Sequence, residues 1–282
     1  MPGTLFVVAT PIGNLEDITV RALRVLREVT VIAAEDTRRT AQLLARHAIA
    51  TPTTSLHEHN ETGKSGALIE RMQRGESVAL VSDAGTPTVS DPGSVLIRTA
   101  IEAGLRVEPV PGPSAVLAAL TASGLPTDSF AFLGFPPTRS KDRKQWFERA
   151  KLIRGTLIFF EAPHRIQATL HDIHRELGDC RAVIGRELTK IHEEFVRGPI
   201  SELAKGLGEG RGEFTVVLYV GQTTDITQLA GVDDQTVVAE FGVMTNNTNL
   251  TRRKAINVLA RRHGLAPNRV YEILEAAKKS VV

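Results

Sequence analysis

Short runs of apolar, largely β-branched residues alternate with amphipathic stretches through the first 220 residues of the chain. The runs are typical of buried strands and lie at Leu5–Ala9, Val29–Ala34, Ser77–Ser82, Arg106–Val110, Ser129–Phe135, Thr156–Glu161, Ala182–Arg186 and Phe214–Val220. The stretches between them have apolar residues at helical spacing and lie at Asp17–Arg27, Thr37–Arg46, Gly66–Arg74 and His164–Leu177. This alternation predicts an α/β fold with largely buried sheets.

Changes in composition and hydrophobic periodicity along the chain predict its domains. The Pro- and Gly-rich stretch at 109–113 is the best candidate for a hinge. We therefore predict an N-terminal α/β domain over residues 1–112 and a second α/β domain over 113–224. A polar, weakly periodic segment follows and is predicted as a linker over 225–245. The last piece, 246–282, is predicted as a small helical domain.

This last piece is the basic part of the chain. It holds eight Lys or Arg and two acidic residues, a net charge of +6, which leaves −4 for the remainder. Thr251 suits the cap of a helix that runs to about His263, Gly264 suits its C-terminal end, and Pro267 suits the first turn of a second helix. The residues predicted to face inward are Leu259, Ala260, Val270, Ile273 and Leu274.

The spacing of Ala260, Gly264, Val270 and Ile273 resembles a helix-turn-helix. One interpretation is a plain helical hairpin with a solvated basic face. The other is a nucleic-acid contact, favoured by a set of exposed arginines that comprises Arg252, Arg253, Arg261, Arg262 and Arg269.

Composition narrows the class of protein. A hydrophobic fraction of 42% excludes a disordered chain, and no apolar run approaches the roughly 20 residues that cross a bilayer. The single Cys180 excludes a disulfide framework and a multi-cysteine zinc site, and no histidine pair has a third ligand at a familiar spacing, so no metal is expected. The N-terminus lacks the basic region of a signal peptide. We expect a soluble, cytoplasmic protein that does not associate with membranes.

The loops after the predicted strands are rich in Gly, Pro and small polar residues. Ligands of α/β proteins bind outside the carboxyl ends of the strands, and small residues let the backbone approach a ligand closely. The loops read ATPIGNL from Ala9, AEDTRR from Ala34, SDAGTP from Ser82 with SDPG from Ser90, PGPSA from Pro111, and FEAPHR from Phe160. Together they predict a ligand site.

The order and the sequences of these loops resemble those of the tetrapyrrole-methylase superfamily of S-adenosylmethionine-dependent enzymes. Within it, they resemble the bacterial branch that methylates small-subunit ribosomal RNA. The resemblance covers about Leu5 to Val220 and is carried by VATPIGNLEDIT, AEDTR, SLHEHNE, LVSDAGTPTVSDPG, VPGPSA, FFEAPHRI and GRELTKIHEE. The porphyrin branch has a Gly-richer opening loop and a Gly-Asp-Pro where this chain has Gly85-Thr86-Pro87. Both differences favour the RNA branch.

The resemblance implies two α/β domains with a ligand cleft between them, a small C-terminal helical (helix-turn-helix-like) domain, and a homodimer. It implies transfer of a methyl group from S-adenosylmethionine to the 2′-hydroxyl of a cytidine in the decoding region of 16S ribosomal RNA, within the assembled 30S subunit. It places the donor against Pro11, Gly13, Ser82, Asp83, Ala84, Gly85, Thr86, Ser114, Ala115, Phe160, Glu161, Leu188, Thr189, Gly212 and Glu213.

Such a transfer needs a proton acceptor, because a ribose hydroxyl is a poor nucleophile at neutral pH. The candidates on ligand-facing loops are Glu35, Asp36 and Asp83, with Lys190 as a fourth if neighbouring cations favour its neutral form. Asp36 or Asp83 equally suits a helix cap or a turn. Cations near the same rim suit phosphates or the orientation of a carboxylate, namely Arg38, Arg165, Arg186 and Lys190, and the first three are predicted RNA contacts. The predicted loop after the third strand suits base or ribose contacts through His57, His59 and Asn60.

Two other functions remain open. A tetrapyrrole methylase of the precorrin type is disfavoured because its acceptor needs no basic helical appendage. A non-catalytic nucleic-acid-binding regulator would leave the small-residue loops without a ligand.

Overall fold

The computed structural model describes residues 1–206, 212–220, 234–247, 252–263, 265 and 267–279. The chain divides into two compact units, with the division after Val220. The α/β architecture predicted for the first unit is confirmed. No helix of the described residues is long and apolar enough to cross a membrane.

The first sheet is parallel throughout and has the strand order β3-β2-β4-β1-β5. Its strands are β1 (Thr4–Val8), β2 (Val31–Ala34), β3 (Thr53–Ser55), β4 (Val78–Val81) and β5 (Arg106–Val110). Its helices are α1 (Val20–Glu28), α2 (Thr37–Arg46), α3 (Glu61–Gln73) and α4 (Ser94–Glu102), with a short 3-10 helix at Leu15–Asp17.

Side chains alternate across each strand of this sheet. Ile32 and Ala34 therefore pack against α1 and α2, while Val31 and Ala33 pack against α3 and α4. Because the strands are parallel, their carboxyl ends meet at one edge, and the loops that leave this edge are the ones predicted to bind a ligand.

The second sheet is mixed and has the order β6-β7-β10-β8-β9, with β6 and β7 parallel and the other neighbours antiparallel. Its strands are β6 (Phe130–Phe132), β7 (Thr156–Glu161), β8 (Arg181–Arg186), β9 (Glu194–Pro199) and β10 (Phe214–Tyr219). Its helices are α5 (Ala115–Ser123), α6 (Ser140–Lys151), α7 (Ile166–Leu177) and α8 (Ile200–Gly206).

Helices cover both faces of the second sheet. Helices α6, α7 and α8 pack on one face around Trp146 and Phe159, and α5 packs on the other through Val116 and Leu120. Ile12 and Val89, from loops of the first sheet, pack into the α5 cluster. The two sheets are therefore joined through shared apolar contacts inside one compact unit.

Two strands lack the apolar runs by which the others were predicted. Strand β3 consists of three residues, Thr53–Ser55, and β9 carries Gly198 and Pro199 in an alternating run. Both lie at the edge of a sheet, where one side of the strand is unpaired and burial is incomplete. Their sequence signal is weak because this position coincides with a length of three residues in β3 and with Gly and Pro in β9, whereas the edge strands β5 and β6 lie in predicted apolar runs.

The C-terminal unit contains helices α9 (Asp234–Asn247), α10 (Arg252–His263) and α11 (Pro267–Lys279). The residues predicted to face inward are buried, namely Leu259, Ala260, Val270, Ile273 and Leu274. Pro267 begins α11, as its fixed backbone angle predicted. Thr251 and Gly264, predicted as caps, lie outside the described residues.

Helix α9 corrects part of the predicted linker. Residues 234–245 were assigned to the linker, but the structure places them in this helix. Val237, Val238, Phe241 and Met244 recur at helical spacing and pack on α10 and α11. Gly, Thr and Asn residues of low helix propensity stand between them and obscure the pattern. The predicted domain bounds at 112 and 224 remain predictions.

Candidate active site

Helices begin directly after strands at the carboxyl edge of the first sheet, and polar side chains cap them. Asp36 Oδ1 accepts the N–H of Arg38 at 2.8 Å and so caps α2, and its other oxygen lies 2.7 Å from the Arg38 guanidinium. These contacts hold the pKa of Asp36 well below its usual value. Ser114 caps α5 by accepting from the N–H of Leu117 at 3.5 Å.

The first two Gly- and Pro-rich loops of this edge are bonded to each other. Thr10 and Gly85 exchange backbone hydrogen bonds of 2.8 and 3.0 Å. Gly85 has a φ of +82°, and a Cβ there would lie 3.3 Å from a methyl of Ile12. The pairing therefore needs glycine at this position, both for its left-handed backbone and for the close approach.

The opening loop also meets a loop of the second sheet. A Cβ on Gly13 would lie 2.5 Å from Lys190 Cγ and 2.8 Å from Thr189 Oγ1, and the N–H of Asn14 donates to that oxygen at 2.9 Å. Glu187 and Thr189 have positive φ values of +49° and +65°. A β-branched residue in this region is strained, and such strain persists where surrounding contacts fix the loop.

Two adjoining cavities lie where these loops converge. The first cavity has a volume of about 270 Å³ and is lined by Ile12, Glu35, Arg39, Asp83, Ala84, Gly85, Thr86, Val89, Ser90, Asp91, Ser114, Ala115, Val116, Phe135, Phe160, Glu161, Glu213, Phe214 and Thr215. The second cavity has a volume of about 350 Å³ and is lined by Thr10, Pro11, Ile12, Gly13, Leu15, Arg39, Thr40, Gln42, Leu43, Ser82, Asp83, Ala84, Lys190 and Glu213. Both sheets contribute to each cavity.

Carboxylates crowd one side of the first cavity. Burial raises the pKa of Glu35, although its carboxylate accepts the N–H of Asp83 at 3.2 Å. Burial, with the nearby charges of Glu35, Asp83 and Glu213, raises the pKa of Asp91 to about 6. The Ser82 hydroxyl lies close enough to lower the pKa of Asp91 in part, although it does not reach normal hydrogen-bond geometry.

Aromatic and apolar groups form the opposite side. Phe160 contacts Phe132 and Phe135 at ring-centroid distances of 4.8 and 5.5 Å, and the Phe135 ring is 51% exposed at the rim. Glu161 beneath them is 1% exposed, and its carboxylate accepts from the Ala162 N–H at 2.8 Å and the Thr169 hydroxyl at 2.6 Å.

Arginine side chains secure this second wall. Arg165 lies 3.3 Å from the Glu161 carboxylate and also donates to the carbonyl of Pro136. Arg143 donates to the carbonyl of Pro137 at 3.3 Å and to the Thr169 hydroxyl at 3.0 Å. The loop that carries Phe135 is thereby fixed by two guanidinium groups.

Most residues predicted to hold the donor line one of the cavities. In the first are Gly85, Thr86, Ser114, Ala115, Phe160 and Glu161; in the second are Pro11, Gly13 and Ser82; in both are Asp83, Ala84 and Glu213. The other three support the walls instead: Leu188 is buried in the α5 cluster, Thr189 holds Asn14, and Gly212 packs on Glu187.

The predicted proton acceptors are not equivalent in the structure. Glu35 and Asp83 line the first cavity, and Lys190 lines the second, where its ammonium pairs with the carboxylate of Glu187 at 2.9 Å. That partner is an anion, not the cations that the base role of Lys190 required. Asp36 lines neither cavity and acts as a helix cap.

The arginines, histidines and asparagine of the first unit that were predicted to contact RNA do not line either cavity. Arg38 pairs with Asp36, Arg165 with Glu161, and Arg186 with Glu194. Asn60 joins the His57 ring at 2.9 Å and accepts the His57 N–H at 2.9 Å, which shapes the loop after β3. His59 is exposed beside them, with its ring 6.1 Å from that of His57.

In the C-terminal unit, Arg252 pairs with Glu275 and stacks over Tyr271, and Arg269 lies 3.8 Å from Asp234. Arg253 is exposed. The side chains of Arg261 and Arg262 lie outside the described residues.

The lining residues that were not predicted as site residues include Arg39, Asp91 and Phe135. Asp91 precedes Pro92 and Gly93, so it fits an ordinary turn. Phe135 ended a predicted strand, whereas strand β6 ends at Phe132. Asp91 could have been identified from the sequence, because it lies in a loop that was already predicted to face a ligand.

Among the described residues, no group of three His, Cys, Asp or Glu side chains is arranged to hold a metal ion.

Comparison with known proteins identifies the family. A model of the Tetrapyrrole (Corrin/Porphyrin) Methylases matches residues 4–204. The chain belongs to the tetrapyrrole methylase family. This methylase is 44% identical over 273 residues to a Vibrio cholerae protein named Ribosomal RNA small subunit methyltransferase I, a match that covers 95% of this chain and 93% of the relative. A protein of the same name from Halalkalibacterium halodurans is 50% identical over 218 residues, 77% of this chain and 75% of the relative.

Solved structures show the same two-sheet fold. A diphthine synthase matches with a TM-score of 0.62 at 19% identity, over 77% of this chain and 90% of that chain. The uroporphyrin-III C-methyltransferase of Thermus thermophilus, in complex with S-adenosylhomocysteine, matches with a TM-score of 0.56 at 20% identity, over 79% of this chain and 100% of that chain. The resemblance stated from the loop sequences is confirmed, and the protein is a methyltransferase of this family.

Proposed function

We propose that this methylase transfers a methyl group from S-adenosylmethionine to the ribose 2′-hydroxyl of a cytidine in the decoding region of 16S ribosomal RNA. The observation that carries the proposal is the similarity to relatives named Ribosomal RNA small subunit methyltransferase I over 95% of the chain, which takes in most of the basic C-terminal unit. A tetrapyrrole acceptor has no use for that unit.

The residues at the cavities fit the donor. S-adenosylmethionine supplies a methyl group made electrophilic by its sulfonium charge. The carboxylates of Glu35 and Asp83 in the first cavity suit a cationic ligand, and the Phe160 ring suits an adenine. The buried Ser82 hydroxyl has no hydrogen-bond partner of normal geometry among the described residues and suits a polar ligand atom. The free N–H groups at the start of α5 suit a negative group.

What the chain itself contributes is the positioning of the substrates. The bonds between Thr10 and Gly85, and between Asn14 and Thr189, hold the loops so that two bound substrates lie in adjoining cavities. Such positioning accounts for about 7–11 kcal/mol of a barrier in favourable cases. A proton acceptor adds about 10²- to 10⁴-fold.

The C-terminal unit adds RNA contacts in this proposal, through its helix-turn-helix-like pair and its exposed arginines. Each phosphate contact releases counterions, so Arg253→Ala should make the slope of log binding constant against log salt shallower by about 1. Arg154→Ala, an exposed arginine of the first unit, is the matched control and should leave the slope unchanged. Equal slopes for both variants would contradict the RNA role of this surface.

The decisive experiment uses labelled methyl donor and purified small ribosomal subunits that lack the modification, with free 16S RNA as a second acceptor. Nuclease digestion then locates the label. Label on the ribose of one cytidine supports the proposal, and preference for the subunit supports the assembled 30S particle as substrate. Label only on a tetrapyrrole acceptor supports the precorrin-type alternative. A chain that binds no donor in calorimetry would instead be a nucleic-acid-binding regulator.

The proposal also carries over a homodimer and a cytoplasmic location from the resemblance. Sedimentation equilibrium of the full chain tests the dimer, and fractionation of cells that express it tests the location.

A further inference from the structure

The carboxylates that reach the first cavity from the first sheet are not equally free to accept a proton. Glu35 already accepts the N–H of Asp83 at 3.2 Å. Asp83 accepts the N–H of Asp36 at 2.9 Å and lies 3.4 Å from the Arg39 guanidinium. Asp91 accepts no backbone N–H and forms no ion pair within the part of the chain that the structure describes. Its oxygens are therefore the most available of the three.

The loop that carries Asp91 is fixed from below. Glu61 is buried, and its Oε1 accepts the N–H groups of Val95 and Leu96 at 2.6 and 3.2 Å, which caps α4 three residues after Asp91. Gly93 has a φ of +121°, and a Cβ there would lie 2.6 Å from a Leu80 methyl. The half-buried Asp91 carboxylate is thus held at the cavity wall by the sheet beneath it.

A loop of the second sheet approaches Asp91 from the other side. A Cβ on Gly134 would lie 3.5 Å from Ser90 Oγ, which brings the neighbouring Phe135 to the same rim. Beside Asp91 lies the Ser82 hydroxyl, 3% exposed and without a partner of normal geometry in the described residues. A buried hydroxyl left unpaired is costly, so this point of the wall is suited to a polar ligand atom.

We propose that Asp91 is the general base that removes the proton from the acceptor hydroxyl during methyl transfer. The inference rests on the proposed function and adds a catalytic residue to it. The acceptor oxygen gives a lone pair to the methyl carbon, the bond from that carbon to the sulfonium sulfur breaks with its electrons going to sulfur, and the hydroxyl proton goes to the Asp91 carboxylate. Solvent then takes this proton from the product complex.

The charged groups around Asp91 suit this role. Glu35 faces it from the end of β2, Asp83 from the end of β4 and Glu213 from the start of β10. The cation that lines the same cavity, Arg39 of α2, is engaged by Asp83. Burial and these like charges raise the pKa of Asp91 to about 6. The group is then ionised at neutral pH and still basic enough to bind a proton, which is the range that favours a general base.

The first test compares Asp91→Asn with Asp128→Asn, an exposed aspartate outside both cavities, in the full-length protein. We expect Asp91→Asn to lower kcat by about 10²- to 10⁴-fold while it binds the donor within about threefold of wild type. Wild-type kcat should fall as pH drops through about 6, and this acid limb should vanish in Asp91→Asn. Asp91→Glu should restore part of the rate, and Asp128→Asn should match wild type throughout.

A second readout needs no turnover. Titration of the aspartate carboxyl carbons by NMR, assigned by the signal lost in Asp91→Asn, should give a pKa near 6 for Asp91. A titration at the ordinary aspartate value, or an unchanged acid limb in Asp91→Asn, would overturn the proposal. If wild type methylates an acceptor other than ribosomal RNA, the proposed function fails, and the same comparison on that acceptor decides the role of Asp91.

Discussion

Each of the two sheets contributes a carboxylate to the first cavity, and the two carboxylates differ in how their charge is compensated. Asp91, from a loop of the parallel sheet, faces other carboxylates and lacks a cationic partner among the described residues. Glu161, at the end of β7 in the mixed sheet, is more deeply buried yet bonded to Arg165, Thr169 and a backbone N–H. The environment of Asp91 disfavours its charged form, which makes it a suitable proton acceptor. The contacts of Glu161 stabilise its charge and make it part of the structure of the cavity wall. Burial alone therefore does not distinguish a reactive carboxylate from a structural one.

The largest effect should come from breaking the structural carboxylate. Glu161→Ala leaves the Arg165 guanidinium without its anion, so we expect the free energy of unfolding to fall by about 3 kcal/mol. Chemical denaturation monitors this change. The matched control is Glu148→Ala, which removes an exposed i,i+3 pair with Lys151 and should cost less than about 0.5 kcal/mol. Equal losses of stability for the two variants would show that Glu161 does not have the structural role that its contacts indicate.

Neutralising the reactive carboxylate should have the opposite sign. The pKa of Asp91 is raised to about 6 in the folded chain, whereas the usual pKa of an aspartate is 3.8. The contribution of Asp91 to the free energy of unfolding therefore falls as pH rises from about 4 to 6 and stays lowered above that window. Because Asp91 is partly exposed and solvent screens its charge, we expect Asp91→Asn to be more stable by only about 1 kcal/mol at pH 7.5.

The pH dependence is the control for this prediction. At pH 3.5 the Asp91 carboxyl is largely protonated in both the folded and the unfolded state, so most of the advantage of Asp91→Asn should disappear there. Denaturation curves at both pH values measure it. A destabilised Asp91→Asn at pH 7.5 would mean that the Asp91 carboxylate is paired, as Glu161 is.

Two buried serines provide a smaller version of the same contrast. Ser82 and Ser123 are 3% and 4% exposed. Within the described residues, the Ser123 hydroxyl donates to the Leu120 carbonyl and accepts from the Leu125 N–H, whereas the Ser82 hydroxyl has no partner of normal geometry. We expect Ser123→Ala to lose about 1 kcal/mol of stability and Ser82→Ala to lose none. Donor affinity should follow the reverse order, with Ser82→Ala weaker by about fivefold. Calorimetry on both variants tests the pair.

The last comparison is between two exposed aromatic rings, of which one lies at the cavity rim. Phe135→Ala removes a ring that is 51% exposed, and Phe130→Ala removes one that is 44% exposed on β6 outside both cavities. Both should change stability by less than about 1 kcal/mol. Only Phe135→Ala should weaken substrate binding, by several-fold, because only this ring lines the first cavity. Equal binding by the two variants would remove Phe135 from the site.

Much of the fold was predictable from local pattern. Interior strands such as β4 are fully apolar because helices cover both of their faces, and that burial is visible in the sequence. Helix α9 and the edge strands β3 and β9 were not predicted, since their apolar residues are sparse.

The sequence by itself determined the family, the ligand-facing loops and the small residues at their turns, because these are local requirements of backbone geometry. Only the tertiary structure decided what each charged group does. Asp36 and Asp91 both follow strands of the same sheet, yet one is bonded to Arg38 and the other faces Glu35, Asp83 and Glu213. The charge state of a carboxylate depends on its distance from groups distant in sequence, and those distances exist only once the chain has folded.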